Sequence, residues 1–207
     1  MTTETTTAQA NAAAPRGDRI IADRVSRWYG QVIALNDVTA SIGSGVTGLL
    51  GPNGAGKTTF LRLAVGLIRP TSGKITVLGD APFTAVESRR RLGYCPEHDH
   101  FYEDMTGLEF VTLMTQLHDI PIAEARHKAD AALERVRLSG DDAKKKPIAQ
   151  YSKGMRQKVK IAQALAHEPE LVVMDEPLTG ADPLSRSHIN DLIKELGRAG
   201  MTVVVSS

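Results

Sequence analysis

The run Gly51-Pro-Asn-Gly-Ala-Gly56-Lys57-Thr58-Thr59 constrains this chain more than any other stretch of its length. It fits the pattern GxxxxGK[ST], and it lies between an apolar run, Val46 to Leu50, and a segment expected to be helical from Lys57 to about Gly66. Glycines let the backbone curl until successive N–H groups point inward and form a concave nest for an anion. The helix that follows adds the positive end of its dipole. A triphosphate carries the dense charge that such a nest suits. Gly51, Pro52, Asn53, Gly54, Ala55, Gly56, Lys57, Thr58 and Thr59 are therefore read as a nucleotide-binding loop. Lys57 should reach the β- and γ-phosphates, and the Thr58 hydroxyl should ligate Mg²⁺.

The rest of the chain has the rhythm this loop requires. Ile20 to Leu50 reads as short strands broken at Gly30-Gln31 and at Gly43 to Gly45, an N-terminal antiparallel β region. Lys74 to Leu78 and Leu92 to Cys95 are two further strands, with a short basic helix leading into the second. Strands alternating with helices imply an α/β fold with a mostly parallel, twisted sheet. From Glu97 to Gln150 nothing reads as a strand. Thr106 and Glu109 match a capping box. Phe110, Leu113, Met114 and Leu117 then share one helical face. A second helix carries Ile122, Ala125, Ala129, Leu133 and Val136. We expect an inserted all-helical lobe over 97–150, inside a discontinuous core of 18–96 and 151–207. The alternation resumes with a helix from Ser152, a strand from Leu171 to Met174, a helix after Pro183 and a strand from Met201 to Val205. Residues 1–17, rich in Thr and Ala at their start and without a signal-peptide pattern, are expected to form a disordered tail.

Two acids close the apolar strand that ends at Met174. Carboxylates at the C-terminal edge of a parallel sheet sit where the ligand crevice lies. Asp175 can hold Mg²⁺ through its water shell, and Glu176 can polarise an attacking water. A strand ending in solvated acids is the plainer account of each acid alone; beside a phosphate loop, the metal-holding role is the one the site requires. Tyr151-Ser-Lys-Gly-Met155 opens the preceding helix. Ser152 is a good N-cap, but Gly154 in the first turn costs up to about 1 kcal/mol relative to Ala. That cost makes sense where backbone must approach a ligand. One triphosphate does not need two anion sites, so the simplest arrangement is a dimer in which Ser152 and Gly154 close on the partner's nucleotide.

Composition bounds the partners. Lys and Arg total 25 against 24 Asp and Glu, which argues against bulk nucleic acid or an anionic membrane surface as the main partner. One cysteine, Cys95, allows neither an internal disulfide nor a cysteine-based zinc site. No apolar run approaches the roughly 20 residues of a membrane helix. Glu97, His98, Asp99 and His100 make a poor metal cluster, lacking a third well-spaced ligand. Arg89 to Arg91 and Lys144 to Lys146 read as solvated faces.

From about Ile20 onward the sequence resembles the ATP-binding subunits of ABC transporters. The phosphate loop corresponds to that family's Walker A motif, Tyr151 to Met155 to its signature, Leu171 to Glu176 to Walker B, and Leu178 to Asp182 to its D-loop. Ser152 stands twenty-three residues ahead of Asp175, the spacing that separates this family from other phosphate-loop NTPases. The wording of the signature and of Gly93-Tyr-Cys-Pro-Glu97 is most similar to the ABC-2 type subgroup. The resemblance implies ATP hydrolysis in a head-to-tail dimer, with Lys57 and Glu176 catalytic, driving transport, export by preference, through a separate membrane permease. It places the chain in the cytoplasm, peripheral on the inner face of the membrane. It also gives Tyr29 a role in stacking on adenine, beside the plainer one of covering a hairpin. Asp182 gains a contact across the dimer beside its helix-capping role. Glu97 falls at the family's glutamine position, where it could face Mg²⁺ with Thr58 and Asp175.

Three departures accompany the likeness. Lys153 and Met155 replace a signature glycine and glutamine. Glu97 cannot donate a hydrogen bond at neutral pH as glutamine does. The family's switch histidine follows the strand that ends here at Ser206 and Ser207, so the sequence is expected to be a truncated form. A rival reading is a soluble ABC ATPase acting as a clamp in DNA repair or translation. Such proteins carry two cassettes or a long coiled coil, and this chain has one cassette and no sustained heptads.

Overall fold

The computed structural model describes residues 17–207; the expected N-terminal tail, apart from Gly17, lies outside the described residues. The chain opens with strands β1 (Ile20–Tyr29), β2 (Val32–Ile42) and β3 (Gly45–Leu49), and helix α1 (Lys57–Ala64) follows the loop after β3. Next come β4 (Ser72–Val77), α2 (Val86–Arg90) and β5 (Leu92–Cys95). The middle holds α3 (Gly107–Gln116), α4 (Ile122–Arg135) and the short α5 (Asp141–Lys144). The chain closes with α6 (Lys153–Leu165), β6 (Leu171–Met174), α7 (Pro183–Arg198) and β7 (Thr202–Ser206).

Two sheets result. One is antiparallel, in the order β2-β1-β4; the other is parallel throughout, in the order β3-β7-β6-β5. The alternation of strands and helices puts the segment at Lys74 to Leu78 with the parallel sheet. It instead pairs antiparallel with β1, Ile20 against Val77 and Ala22 against Ile75. The antiparallel region is therefore not confined to the N-terminus: β4 returns from α1 to close it.

The central strands β6 and β7 are buried on both faces, which is why they read as near-continuous apolar runs, while the edge strand β3 leaves Val46 exposed. The strand period of two sends Val172, Met174 and Val203 into one core and Leu171, Val173 and Val204 into the other. The first core also takes Leu108, Val111 and Leu133 from the helical segment, with Val159 of α6 and Leu196 of α7. The helical segment thus shares its hydrophobic core with the sheet. The second core lies between α1 and the antiparallel sheet, around Ile20, Leu61 and Val77.

The capping box of α3 forms: the Glu109 N–H donates to Thr106 Oγ1, and the Thr106 N–H donates to Glu109 Oε2 at 2.8 Å. Its buried face differs from the expected one. Phe110 is buried as expected, but so are Leu108, Val111 and Thr115, while Leu113 and Met114 are half-buried and Leu117 is 71% exposed. Two apolar stripes on nearly opposite sides compete on this helix, and packing against α4 and α6 buries the first more fully.

The middle of β5 presses on α6 so closely that only glycine fits. A Cβ on Gly93 would lie 2.0 Å from the Ala164 carbonyl oxygen, which is helix backbone and cannot yield. Gly93→Ala should cost about 3 kcal/mol or more, read as a lower urea midpoint; an unchanged midpoint would show that the strand and helix can separate freely.

Candidate functional site

β3 delivers the chain to the phosphate loop, and α1 begins at Lys57. Gly56, the residue before it, has φ +89° and Gly54 has φ +84°, backbone that L side chains rarely adopt. A Cβ on Gly56 would also meet the Ala34 carbonyl at 2.5 Å, so the β2 strand holds the loop from behind. Pro52, Asn53, Gly54 and Ala55 are exposed, and Gly51, Lys57, Thr58 and Thr59 are half-buried. The loop turns back on itself through the Ala55 N–H, which donates to Pro52 O at 3.1 Å.

Lys57, Thr58, Asp175 and Glu176 converge at the C-terminal edge of the parallel sheet. Lys57 Nζ donates to Gly51 O at 2.6 Å and stands 3.6 Å from Glu176 Oε1. Thr58 Oγ1 donates to Asp175 Oδ1 at 3.2 Å. Asp175 is buried, 1% exposed, and its N–H extends the strand ladder to Cys95 O. Its Oδ2 is buried with no hydrogen-bond partner, and Asp175 makes no ion pair among the described residues. A buried anionic oxygen left in this state is costly unless a cation or donor completes it.

Ser206, at the end of the neighbouring β7, is a site residue that the motifs do not include. Its hydroxyl donates to Asp175 Oδ1 at 2.7 Å and accepts from the Glu176 N–H at 2.8 Å. A polar residue closing the apolar run of β7 beside two acids closing β6 is the available signal, since parallel strands end at one crevice. Glu176 itself has φ +49°, a strained conformation for a side-chain-bearing residue, of order 1 kcal/mol. Ser206 holds that turn, and Thr179 Oγ1 donates to Glu176 Oε2 at 3.3 Å.

Ser152, Gly154 and Asp182 form a second cluster. Ser152 caps α6, accepting from the Met155 N–H at 3.2 Å, and is exposed. Asp182 caps α7, with Oδ1 on the Ser185 N–H and Oδ2 accepting from Ser185 Oγ at 2.6 Å. These two helix starts abut. A Cβ on Gly154 would meet Asp182 Oδ2 at 3.3 Å and Ser185 Oγ at 3.4 Å. Close packing within the chain thus gives Gly154 a reason that sequence spacing could not supply. Tyr151 is buried beneath; its hydroxyl accepts from the Gly107 N–H and donates to Asp142 O, tying this turn to the helical segment.

Tyr29 ends β1 and is 42% exposed, with the Arg27 guanidinium 4.6 Å from its ring centroid. That cation occupies one ring face and leaves one for another planar group. Arg27 lies two residues back on the same strand, so period-two reading could have found the pair. Glu97 is exposed; its carboxylate lies 3.7 Å from His98 Nδ1, and its carbonyl accepts from Lys160 Nζ at 2.7 Å. Glu97 and Asp175 both line a cleft of about 900 Å³, but no group of three acidic, histidine or cysteine ligands converges among the described residues. Tyr94 lines the same cleft, and burial, then the charge on Asp175, pushes its hydroxyl up to about 12. Among the described residues no helix is long and apolar enough to cross a membrane.

A family model described as ABC transporter matches residues 35–179. An uncharacterized ABC transporter ATP-binding protein of Nostoc sp. is 44% identical over 89% of this chain and 55% of its own length. The daunorubicin resistance ATP-binding protein of Streptomyces coeruleorubidus is 38% identical over 91% of this chain and 60% of its own length. The chain thus spans little more than half the length of these curated relatives. Among solved structures, a dimeric bacterial ABC transporter cassette is similar with a TM-score of 0.82 at 28% identity, covering 91% of this chain and 87% of that one. A post-hydrolysis state of a cassette bound to ADP and Pi gives 0.81 at 27% identity, covering 91% and 87%. With a matching model over most of its length and relatives matched over about nine tenths of it, the chain belongs to the ATP-binding proteins of the ABC transporter family.

Proposed function

We propose that this chain is the nucleotide-binding part of an ABC transporter ATP-binding subunit that hydrolyses ATP in a head-to-tail pair and drives export through a separate permease. The observation that carries this reading is the buried, unpartnered Asp175 Oδ2 beside Thr58, at the mouth of the phosphate loop. Residues 18–96 and 151–207 form the ATP-binding core and 97–150 the helical subdomain. The name of a relative, the Nod factor export ATP-binding protein I of Cupriavidus pinatubonensis, 35% identical over 89% of this chain and 57% of its own length, supports export.

Mg²⁺ fits this donor set: a hydroxyl and a carboxylate, hard oxygen ligands with one oxygen still free. Thr58 and Asp175 would hold it, with Glu97 facing it from the cleft. Bound there, it would neutralise phosphate charge as that charge shifts. Lys57 gives up the Gly51 carbonyl and the Glu176 carboxylate for the phosphates, which carry more charge than either. Glu176, freed of Lys57 and still held at its N–H by Ser206, accepts a hydrogen bond from the attacking water and orients it in line. Tyr29 presents its open face to adenine. Ser152 and Gly154, at the start of α6, close on the nucleotide of the partner copy, and Asp182 lies at that seam.

Glu176→Gln keeps the shape of the side chain and removes its basicity. The variant should shift from monomer to dimer mass when Mg²⁺ and ATP are added, and ADP should leave it monomeric, as read by light scattering on a sizing column. A variant that stays monomeric with ATP would overturn the head-to-tail reading.

A further inference from the structure

Away from the phosphate loop, two histidines stack. The rings of His118, just past α3, and His167, just past α6, have centroids 3.7 Å apart and planes within 10°. They join the helical segment to the sheet. His167 Nε2 lies 3.2 Å from the Leu92 carbonyl at the start of β5, and its Nδ1 is buried without a hydrogen-bond partner among the described residues. An ion pair flanks the stack on each side: Arg90, ending α2, with Asp119, and Lys128 of α4 with Glu168 at 2.6 Å. At the opposite end of α6 the Tyr151 hydroxyl makes the matching attachment to Gly107 and Asp142. Beyond the hydrophobic core they share and the Arg156–Glu103 pair near its start, the helical segment is thus tied to α6 at both of its ends, at one by a phenol and at the other by an imidazole.

These two attachments respond differently to acid. A tyrosine hydroxyl does not change state below neutral pH. A stacked imidazole pair does, because a proton on either ring brings charge into a half-buried contact. The charged groups around it do not welcome that proton. Arg90 and Lys128 are cations; Asp119 favours a proton on His118, but burial and Arg90 outweigh it, and Glu168 and Glu124 face Lys128. Across the cleft stand Lys160 and His100 beside Tyr94, Glu97 and Asp175, with Lys160 paired to Asp99 at 3.0 Å.

We propose that the His118–His167 stack is an acid-released latch, holding the helical segment against the sheet while both rings are neutral. Burial, then the neighbouring His118, holds His167 down to about 4; burial, then Arg90, also lowers His118. The sign follows from linkage. Above about pH 6.5 both the closed and the opened contact carry neutral rings, and the latch has its full strength. As pH falls from there toward about 4, the opened state takes up a proton that the closed state refuses, so closure weakens; below about 4 the loss levels off. For His167 alone, opening should rise about tenfold between pH 7.5 and 5.5.

Hydrogen exchange of the chain at those two pH values, normalised to intrinsic chemical rates, reads this directly. Protection in peptides from α3 and α4 should fall about tenfold at pH 5.5 while the β6 and β7 peptides hold. The double variant His118→Phe and His167→Phe keeps two stackable rings and should show no such fall. Equal protection at both pH values in the wild-type chain, or an unchanged tenfold loss in the double variant, would overturn the latch. If the double variant does not fold, the imidazole titration of the wild-type chain by NMR decides: His167 titrating near 6.5 sinks the proposal, and titrating well below it sustains it.

Discussion

Lys57→Ala should cut the affinity of the chain for ATP by about a hundredfold or more and leave its fold intact. Lys57 Nζ has two partners, the Gly51 carbonyl at 2.6 Å and Glu176 at 3.6 Å, and neither belongs to the hydrophobic cores. Its removal therefore costs little stability. What it costs is the one mobile cation of the loop. The backbone nest and the α1 dipole still offer partial charges, each weaker than a full ammonium. A charge-assisted contact to phosphate is worth roughly 1.5–3 kcal/mol, and β- and γ-oxygens share this one. Lys57→Arg should fare almost as badly, because a planar guanidinium is bulkier than a point-like ammonium inside a turn built on Gly54 and Gly56. Titration calorimetry with ATP, beside a urea curve for each variant, separates binding from folding. Wild-type affinity in Lys57→Ala would mean that the loop is not a phosphate site.

The phosphate loop is legible in the amino-acid sequence because its requirements are local. The positive φ angles of Gly54 and Gly56 are demands of a single turn, and only glycine meets them cheaply. The capping box at Thr106 and Glu109 and the Asp182-Pro183 helix start are local in the same way, and all form. What sequence spacing cannot reach depends on contacts between distant segments. The pairing of β4 with β1 is decided by where α1 returns the chain, not by the β4 residues themselves. Gly154 reads in isolation as a glycine kept for a ligand, and only its remote neighbours Asp182 and Ser185 supply the packing reason. His118 and His167 carry no pattern that announces a stack across forty-nine residues. Ser206 lies between these cases: its partners are remote, but a parallel sheet forces neighbouring strand ends together, so the rule that identifies Asp175 and Glu176 reaches it too.

Asp175 should separate stability from function more sharply than any other residue of the site. Its Oδ1 accepts from Thr58 and Ser206, while its Oδ2 is buried and bonded to nothing among the described residues. Asp175→Asn keeps an oxygen for both hydroxyls and removes the buried charge. Without Mg²⁺ the variant should therefore be more stable than wild type by about 1 kcal/mol. Asp175→Ala leaves the Thr58 and Ser206 hydroxyls without an acceptor and opens a small cavity. It should be less stable by about 2 kcal/mol. Both variants should lose the response to the metal. In wild type, adding Mg²⁺ should raise ATP affinity at least tenfold, and in either variant the increase should vanish. The opposite signs of the two stability changes, with the same loss of metal response, distinguish a cation site from a structural hydrogen-bond hub. A hub would destabilise Asp175→Ala alone, leave Asp175→Asn close to wild type, and leave the metal response unchanged in both. A solvated acid at a turn would leave both stability and metal response untouched. A stabilised Asp175→Asn that binds ATP equally with and without Mg²⁺ is the result that a carboxylate kept for metal rather than for folding must give.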